Sequence, residues 1–128
     1  MTGDRFDRVN INDAVRSPTC AHGGFGTIEF ARLLDHDDVD GECNFVDLAV
    51  VPPGASIGRH RHGPDEEEYY LVLDGSGTMR RDGAEFRVRA GDLIRNAPRG
   101  EHALDNDGDT PIRLFVFEVR VTPAAAAP

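Results

Sequence analysis

The sequence predicts an all-β chain that closes into a small barrel or a double-sheet jelly roll. Turn-forming clusters recur at intervals of roughly 7 to 11 residues: "PPGA" at 52, "GPD" at 63, "DGSG" at 74, "RDGA" at 81, "AGD" at 90, "PRG" at 98 and "DNDGDTP" at 105. That spacing belongs to short antiparallel strands joined by tight turns. The segments between them are short, apolar and in several cases alternating. The length, 128 residues, suits one domain with a single core, and an antiparallel chain of that size protects its edges by closing on itself.

Taken in order, "GTIEFARLL" (26 to 34) fits a strand or a short helix, because periodicity alone does not settle short apolar runs; we read it as a strand. "NFVDLAVV" (44 to 51), "EYYLVLD" (68 to 74), "GTMRR" (77 to 81), "EFRVR" (85 to 89) and "DLIRN" (92 to 96) read as strands. "IRLFVFEVRV" (112 to 121) places Phe115, Phe117, Val119 and Val121 on one face and Ile112, Leu114, Val116 and Glu118 on the other, so both faces are expected to be buried. The tail 122 to 128 has nothing to bury and is expected to be flexible.

Composition narrows the function classes. Fourteen basic residues, all arginine, face 23 acidic ones, a formal charge of −9 that repels phosphate backbones and anionic lipid. No nucleic acid and no membrane partner is expected. The N-terminal "MTGDRFDRVNIND" lacks the apolar run of a secretory signal, which points to a cytoplasmic protein. Cys20 and Cys43 are too few for a disulfide framework and form no CxxC pair, so two reduced thiols are expected.

The chemistry concentrates in "GRHRHGPDEEEYYLVLDG", residues 58 to 75. Residues two apart diverge on a helix but share a face on a strand, about 7 Å apart, so His60 and His62 converge on one ion only if this segment is extended. On the strand that follows, Glu66 and Glu68 share one face and Glu67 takes the other. A cation on the inward face relieves the repulsion of this carboxylate block. A third imidazole, His102, opens a later candidate strand that a closed barrel can bring across to the first pair. Three neutral imidazoles and a carboxylate suit one divalent transition metal, with Fe, Mn, Zn, Ni and Cu all open.

At these residues the chain resembles the cupin family. Its first motif, G-x5-H-x-H-x(3,4)-E-x6-G, is met by Gly54, His60, His62 and, six residues before Gly75, Glu68; five residues rather than three or four separate His62 from Glu68. Glu67 stays in reserve as the carboxylate. The second motif, G-x5-P-x-G-x2-H-x3-N, is met in full spacing by Gly91, His102 and Asn106, with Pro98 and Gly100 one position late. The resemblance covers about residues 45 to 121 and implies a single-domain cupin, a double-stranded β-helix barrel, holding a metal at His60, His62, Glu68 and His102. It also implies that residues 1 to 44 add strands to the barrel and complete a homodimer interface.

Other polar residues are weaker candidates. Tyr70 shares a face with Glu68, so its hydroxyl can serve as a catalytic proton donor or substrate contact, although such a tyrosine is more often core. Glu66 can lie behind the ligands. His22 can approach the barrel mouth, but a lone loop histidine is usually only that; His36 reads as part of a solvated charged loop. Arg59 and Arg61 are expected to face away from the histidines, and Arg95 or Arg99 to reach a substrate carboxylate. The expected function is a metal-dependent enzyme, a dioxygenase or an isomerase, lyase or cyclase, acting on a small oxygen-rich substrate. A non-catalytic ligand-binding or sensor barrel is the alternative.

Overall fold

A computed structural model describes residues 8–122; the expected flexibility of the tail from residue 123 onward lies outside the described residues. Ten strands form two antiparallel sheets: β1 (Ser17–Thr19), β2 (Ile28–Asp35), β3 (Cys43–Val51), β4 (Ser56–Arg61), β5 (Glu66–Asp74), β6 (Ser76–Arg81), β7 (Ala84–Arg89), β8 (Leu93–Asn96), β9 (Glu101–Asp105) and β10 (Ile112–Arg120). One sheet runs β1-β2-β3-β10-β5-β8 and the other β4-β9-β6-β7. Among the described residues the only helical pieces are single 3-10 turns, Ala21–Gly23 and His36–Asp38, and no helix is long and apolar enough to cross a membrane. The strand reading of 26 to 34 holds as β2.

Alternation explains what fills the interior. Along β10, Ile112, Leu114, Val116 and Glu118 are buried, while Phe115, Phe117 and Val119 between them are only half-buried. The strand with both faces buried is its neighbour β3, where Leu48, Ala49, Val50 and Val51 are each at most 8% exposed. Ala49 and Val51 pack inward, whereas Leu48 and Val50 pack outward beneath Ile11 and Ala14 of the N-terminal segment. The expectation for residues 112 to 121 is met on the Ile112 face and only in part on the Phe face, where Phe115 packs at the edge of the outer cluster centred on β3.

The inward residues change character along the barrel axis. On β5 they run Glu68, Tyr70, Val72, and on β10 Glu118, Val116, Leu114, Ile112, with Glu68 opposite Glu118 and Tyr70 opposite Val116. On β9, buried His102 precedes buried Leu104. One end of the barrel is thus a dry core of Val72, Met79, Leu104, Ile112 and Leu114, each at most 1% exposed, and burying such side chains contributes on the order of 1.5–3 kcal/mol apiece. The other end collects the ionisable groups.

The slipped second motif has a backbone explanation. Its glycine, three positions before His102, falls on Arg99, and Arg99 holds φ 66°, the left-handed region that L side chains avoid. An arginine occupies the position the motif gives to glycine, and Gly100 follows it. Arg99 is exposed. Arg99→Gly is therefore expected to stabilise the fold by roughly 0.5–1 kcal/mol, read as a higher Tm in thermal unfolding.

Candidate metal centre

His60 lies near the end of β4, and its cross-strand partner on β9 is His102. The third histidine is thus a neighbour of the first within one sheet, not a residue reached across the barrel. The pairing is antiparallel, so both side chains point to the interior. His62 follows β4, tied by its N–H to the Gly100 carbonyl at 3.1 Å. Glu68 arrives from β5 of the opposite sheet. The site therefore bridges the two sheets, and closure of the barrel assembles it.

One ligand atom from each of His60, His62, Glu68 and His102 falls within 4.8 Å of all the others. Glu68 Oε1 stands 3.2 Å from His62 Nε2 and 3.3 Å from His102 Nε2. Yet His62 Nε2 and Glu68 Oε1, buried and charge-paired, meet at a geometry that satisfies no hydrogen bond for either atom. Polar atoms left without hydrogen bonds at one point are costly in a protein interior, and a divalent cation on that point would satisfy them. The donor set, three imidazoles and one carboxylate, fits such an ion. His60 Nδ1 sits 2.8 Å from the Gly58 carbonyl, a contact that places its proton on Nδ1 and leaves the Nε2 lone pair free.

Electrostatics follow from this crowding. Burial, above all, lowers His60 to about 4, so it is neutral at physiological pH. The Glu118 and Glu68 carboxylates raise His62 to about 10 in the metal-free protein. Burial pushes Glu68 up, but His102 and His62 more than offset it and hold the carboxyl at about 2. Burial raises the Tyr70 hydroxyl well above its ordinary range, so it stays protonated. That hydroxyl lies 3.3 Å from His102 Nε2, the proximity to the cluster that alternation predicts.

The carboxylate in reserve faces outward. Glu67 accepts hydrogen bonds from Tyr69 (2.5 Å) and Arg95 (2.6 Å) on the outer surface, and does not join the four-residue cluster. Arg95, expected to reach a substrate carboxylate, is paired with Glu67 instead. Neither Arg95 nor Arg99 lines the cavity. Glu66 turns inward as expected, 4.0 Å from His62 Nδ1, and also accepts from the Gly63 N–H at 2.6 Å. Arg61, expected to face away, has its guanidinium bonded to the Arg99 carbonyl and lies 3.5 Å from Glu101 while still lining the cavity rim. Asn106, the last residue of the second motif, is structural: its amide donates to the carbonyls of Val51 and Thr110, both at 2.8 Å.

A cavity of about 560 Å³ opens onto His60, His62, Glu68 and Tyr70. Its walls include Ile28, Phe30, Phe45, Ala49, Ile57 and Val116. Residues 47–118 match the family model for the Cupin domain. The chain belongs to the cupin family. The oxalate-binding protein of Thermotoga maritima is 31% identical over 93 residues, 73% of this chain and 76% of that relative. Polyketide synthase CurC of Streptomyces cyaneus is 31% identical over 100 residues, 78% of this chain and 62% of its own. A crystal structure of a predicted oxalate decarboxylase from Thermotoga maritima superposes with a TM-score of 0.86 at 25% identity, covering 90% of this chain and all of that one.

One residue of this cupin site was given no role by sequence reasoning, and another was weighed and set low. Glu118, 4% exposed, places Oε1 3.2 Å from His62 Nδ1 and accepts at Oε2 from the Asn44 amide at 2.8 Å. An acidic residue among the inward-facing aliphatics of β10 was its visible signal. His22, which sequence reading allowed to approach the barrel mouth but favoured as an ordinary loop histidine, lines the cavity and stacks on His60 with ring centroids 3.6 Å apart. No short-range sequence feature marks that contact.

Proposed function

We propose that this cupin is a metal-dependent enzyme in which His60, His62, Glu68 and His102 hold one divalent transition metal and a small oxygen-rich substrate binds beside it. The observation that supports this is the pair of buried atoms without a hydrogen bond, His62 Nε2 and Glu68 Oε1, converging with His60 and His102. With one carboxylate, a divalent ion would keep a formal charge of +1, which favours carboxylates, enols, enediols and hydroxyketones. When bound, the ion supplies Lewis-acid or oxygen chemistry, the isomerase, lyase or cyclase and the dioxygenase readings respectively. In this reading Tyr70 is the proton donor, supported by burial that keeps its hydroxyl protonated and by its 3.3 Å approach to His102 Nε2.

Elemental analysis of protein purified without chelator, beside His60→Ala/His62→Ala, tests the metal. Near-stoichiometric metal in the native protein and its loss in the variant is the expected result. A native protein still empty after incubation with Fe(II), Mn(II), Ni(II) and Zn(II) overturns the reading. The oxalate-binding relative favours a second reading, a barrel that binds a small carboxylate without turnover. Tyr70→Phe separates the two: a non-redox enzyme should keep its metal and lose on the order of 10²–10⁴ in rate, while a binder should change only in affinity.

The same reading includes a cytoplasmic protein, consistent with free Cys20 and Cys43, and a homodimer formed with residues 1 to 44. Val15 and Phe25, 88% and 78% exposed, are apolar surface in that segment. Sedimentation velocity showing only monomer at micromolar concentration would remove the dimer.

A further inference from the structure

A strap of residues 20–26 lines one side of the cavity with Cys20, Ala21 and His22 and is pressed onto β4 by backbone contacts that only glycine allows. A Cβ on Gly24 would lie 2.3 Å from the Ser56 carbonyl oxygen, and one on Gly58 2.2 Å from that of His22. The Phe25 N–H donates to Ser56 Oγ at 2.7 Å and the Ser56 N–H to the Phe25 carbonyl at 2.8 Å. None of the residues Ala21–Gly23 is buried, so hydrophobic burial is not what fixes the strap.

Within it, His22 holds φ 52° and ψ 38°, a left-handed conformation that is uncommon for a residue with a side chain. That conformation lays its ring almost parallel to His60, at an interplanar angle of 11°. One ring face is covered by His60 and the residue is otherwise exposed at the cavity entrance. Its ring nitrogens have no hydrogen-bond partner among the described residues. The cavity's guanidiniums are engaged elsewhere: Arg32 with Asp47 at 2.7 Å and 3.3 Å, and Arg61 with the Arg99 carbonyl at 2.6 Å. His22 is thus a donor left free beside a ligand imidazole, and backbone strain held in place by its surroundings clusters where ligands bind.

We propose that His22 is a ligand-positioning residue whose ring N–H holds a small oxyanionic ligand on the mouth side of the centre built on His60. This rests on the metal reading above. Stacking alone would be served equally by phenylalanine; the nitrogen is what the inference assigns a task.

The test uses Zn(II)-loaded protein titrated calorimetrically with oxalate, malonate and glycolate, with zinc content measured first. His22→Phe keeps the stack and removes the donor, and should weaken the tightest of these anions about tenfold at unchanged zinc content. His22→Gly, which takes the left-handed backbone without strain but carries no donor, should stay as weak as His22→Phe, whereas His22→Asn, which tolerates that backbone and restores a donor, should recover most of the affinity. If His22→Phe binds like the native protein, the ring merely packs and the inference is overturned while the metal reading stands. A zinc-loaded native protein that takes up none of the three anions also overturns it. A native protein that takes up no zinc overturns the metal reading and this inference together.

Discussion

Glu68→Gln is expected to abolish stoichiometric metal binding in a barrel that still folds, while Glu67→Gln leaves the metal content unchanged. Glu68 is 7% exposed and its Oε1 lies within 3.3 Å of two of the three imidazoles. Glutamine keeps the shape but removes the negative charge that a divalent ion needs in a site otherwise built of neutral rings. The loss should exceed the roughly 10–100-fold that follows from removing an outer partner of a ligand. Glu67, one residue away, spends its half-buried carboxylate on Tyr69 and the exposed Arg95, so its neutralisation disturbs outward-facing contacts and leaves the ligand cluster intact. Elemental analysis of both variants, with circular dichroism to check folding, decides the matter. Equal metal in the two would remove Glu68 from the site.

The contrast between these adjacent glutamates was legible beforehand because a strand has a strict period of two. Once residues 66 to 74 form a strand, Glu68 and Glu67 must take opposite faces. The same rule placed Tyr70 beside the cluster. What the period does not encode is which strands become neighbours. His102 sits directly across from His60 in one sheet, a fact that depends on topology, and sequence alone suggested a more distant approach. The stack of His22 on His60 lay further out of reach, since it depends on Gly24 and Gly58 admitting the strap. Glu118 was visible as a charge on an inward face of β10, but its partner, His62, is 56 residues away and belongs to no motif shared with it.

Each metal-site variant needs a folding check beside its metal readout, because the core that holds Val72, Met79, Leu104 and Leu114 runs on to Tyr70, and the Tyr70 hydroxyl lies 3.3 Å from His102 Nε2.

Glu118→Gln is expected to weaken metal binding by about 10–100-fold through His62 alone. The Glu118 carboxylate accepts from two donors, His62 Nδ1–H at Oε1, 3.2 Å away, and the Asn44 amide at Oε2, 2.8 Å away. A carboxylate accepts from both, whereas a glutamine amide accepts from one and opposes the other with its own N–H. The His62 ring then loses the contact that fixes its tautomer and turns Nε2 toward Glu68. The metal-free protein offers a second readout. His62 is raised from 6.5 to about 10, with Glu118 the largest cause, so the stability this contributes is fully present below pH 6.5 and is lost as pH rises through about 10. In Glu118→Gln that alkaline loss should begin at lower pH, because the charged ring keeps Glu68 at 3.2 Å and Glu66 at 4.0 Å but loses its largest stabilising partner. Thermal unfolding of both metal-free proteins between pH 6 and 10 would show it. Unchanged metal affinity together with superimposable pH profiles would mean that Glu118 and Asn44 merely fill space behind the site.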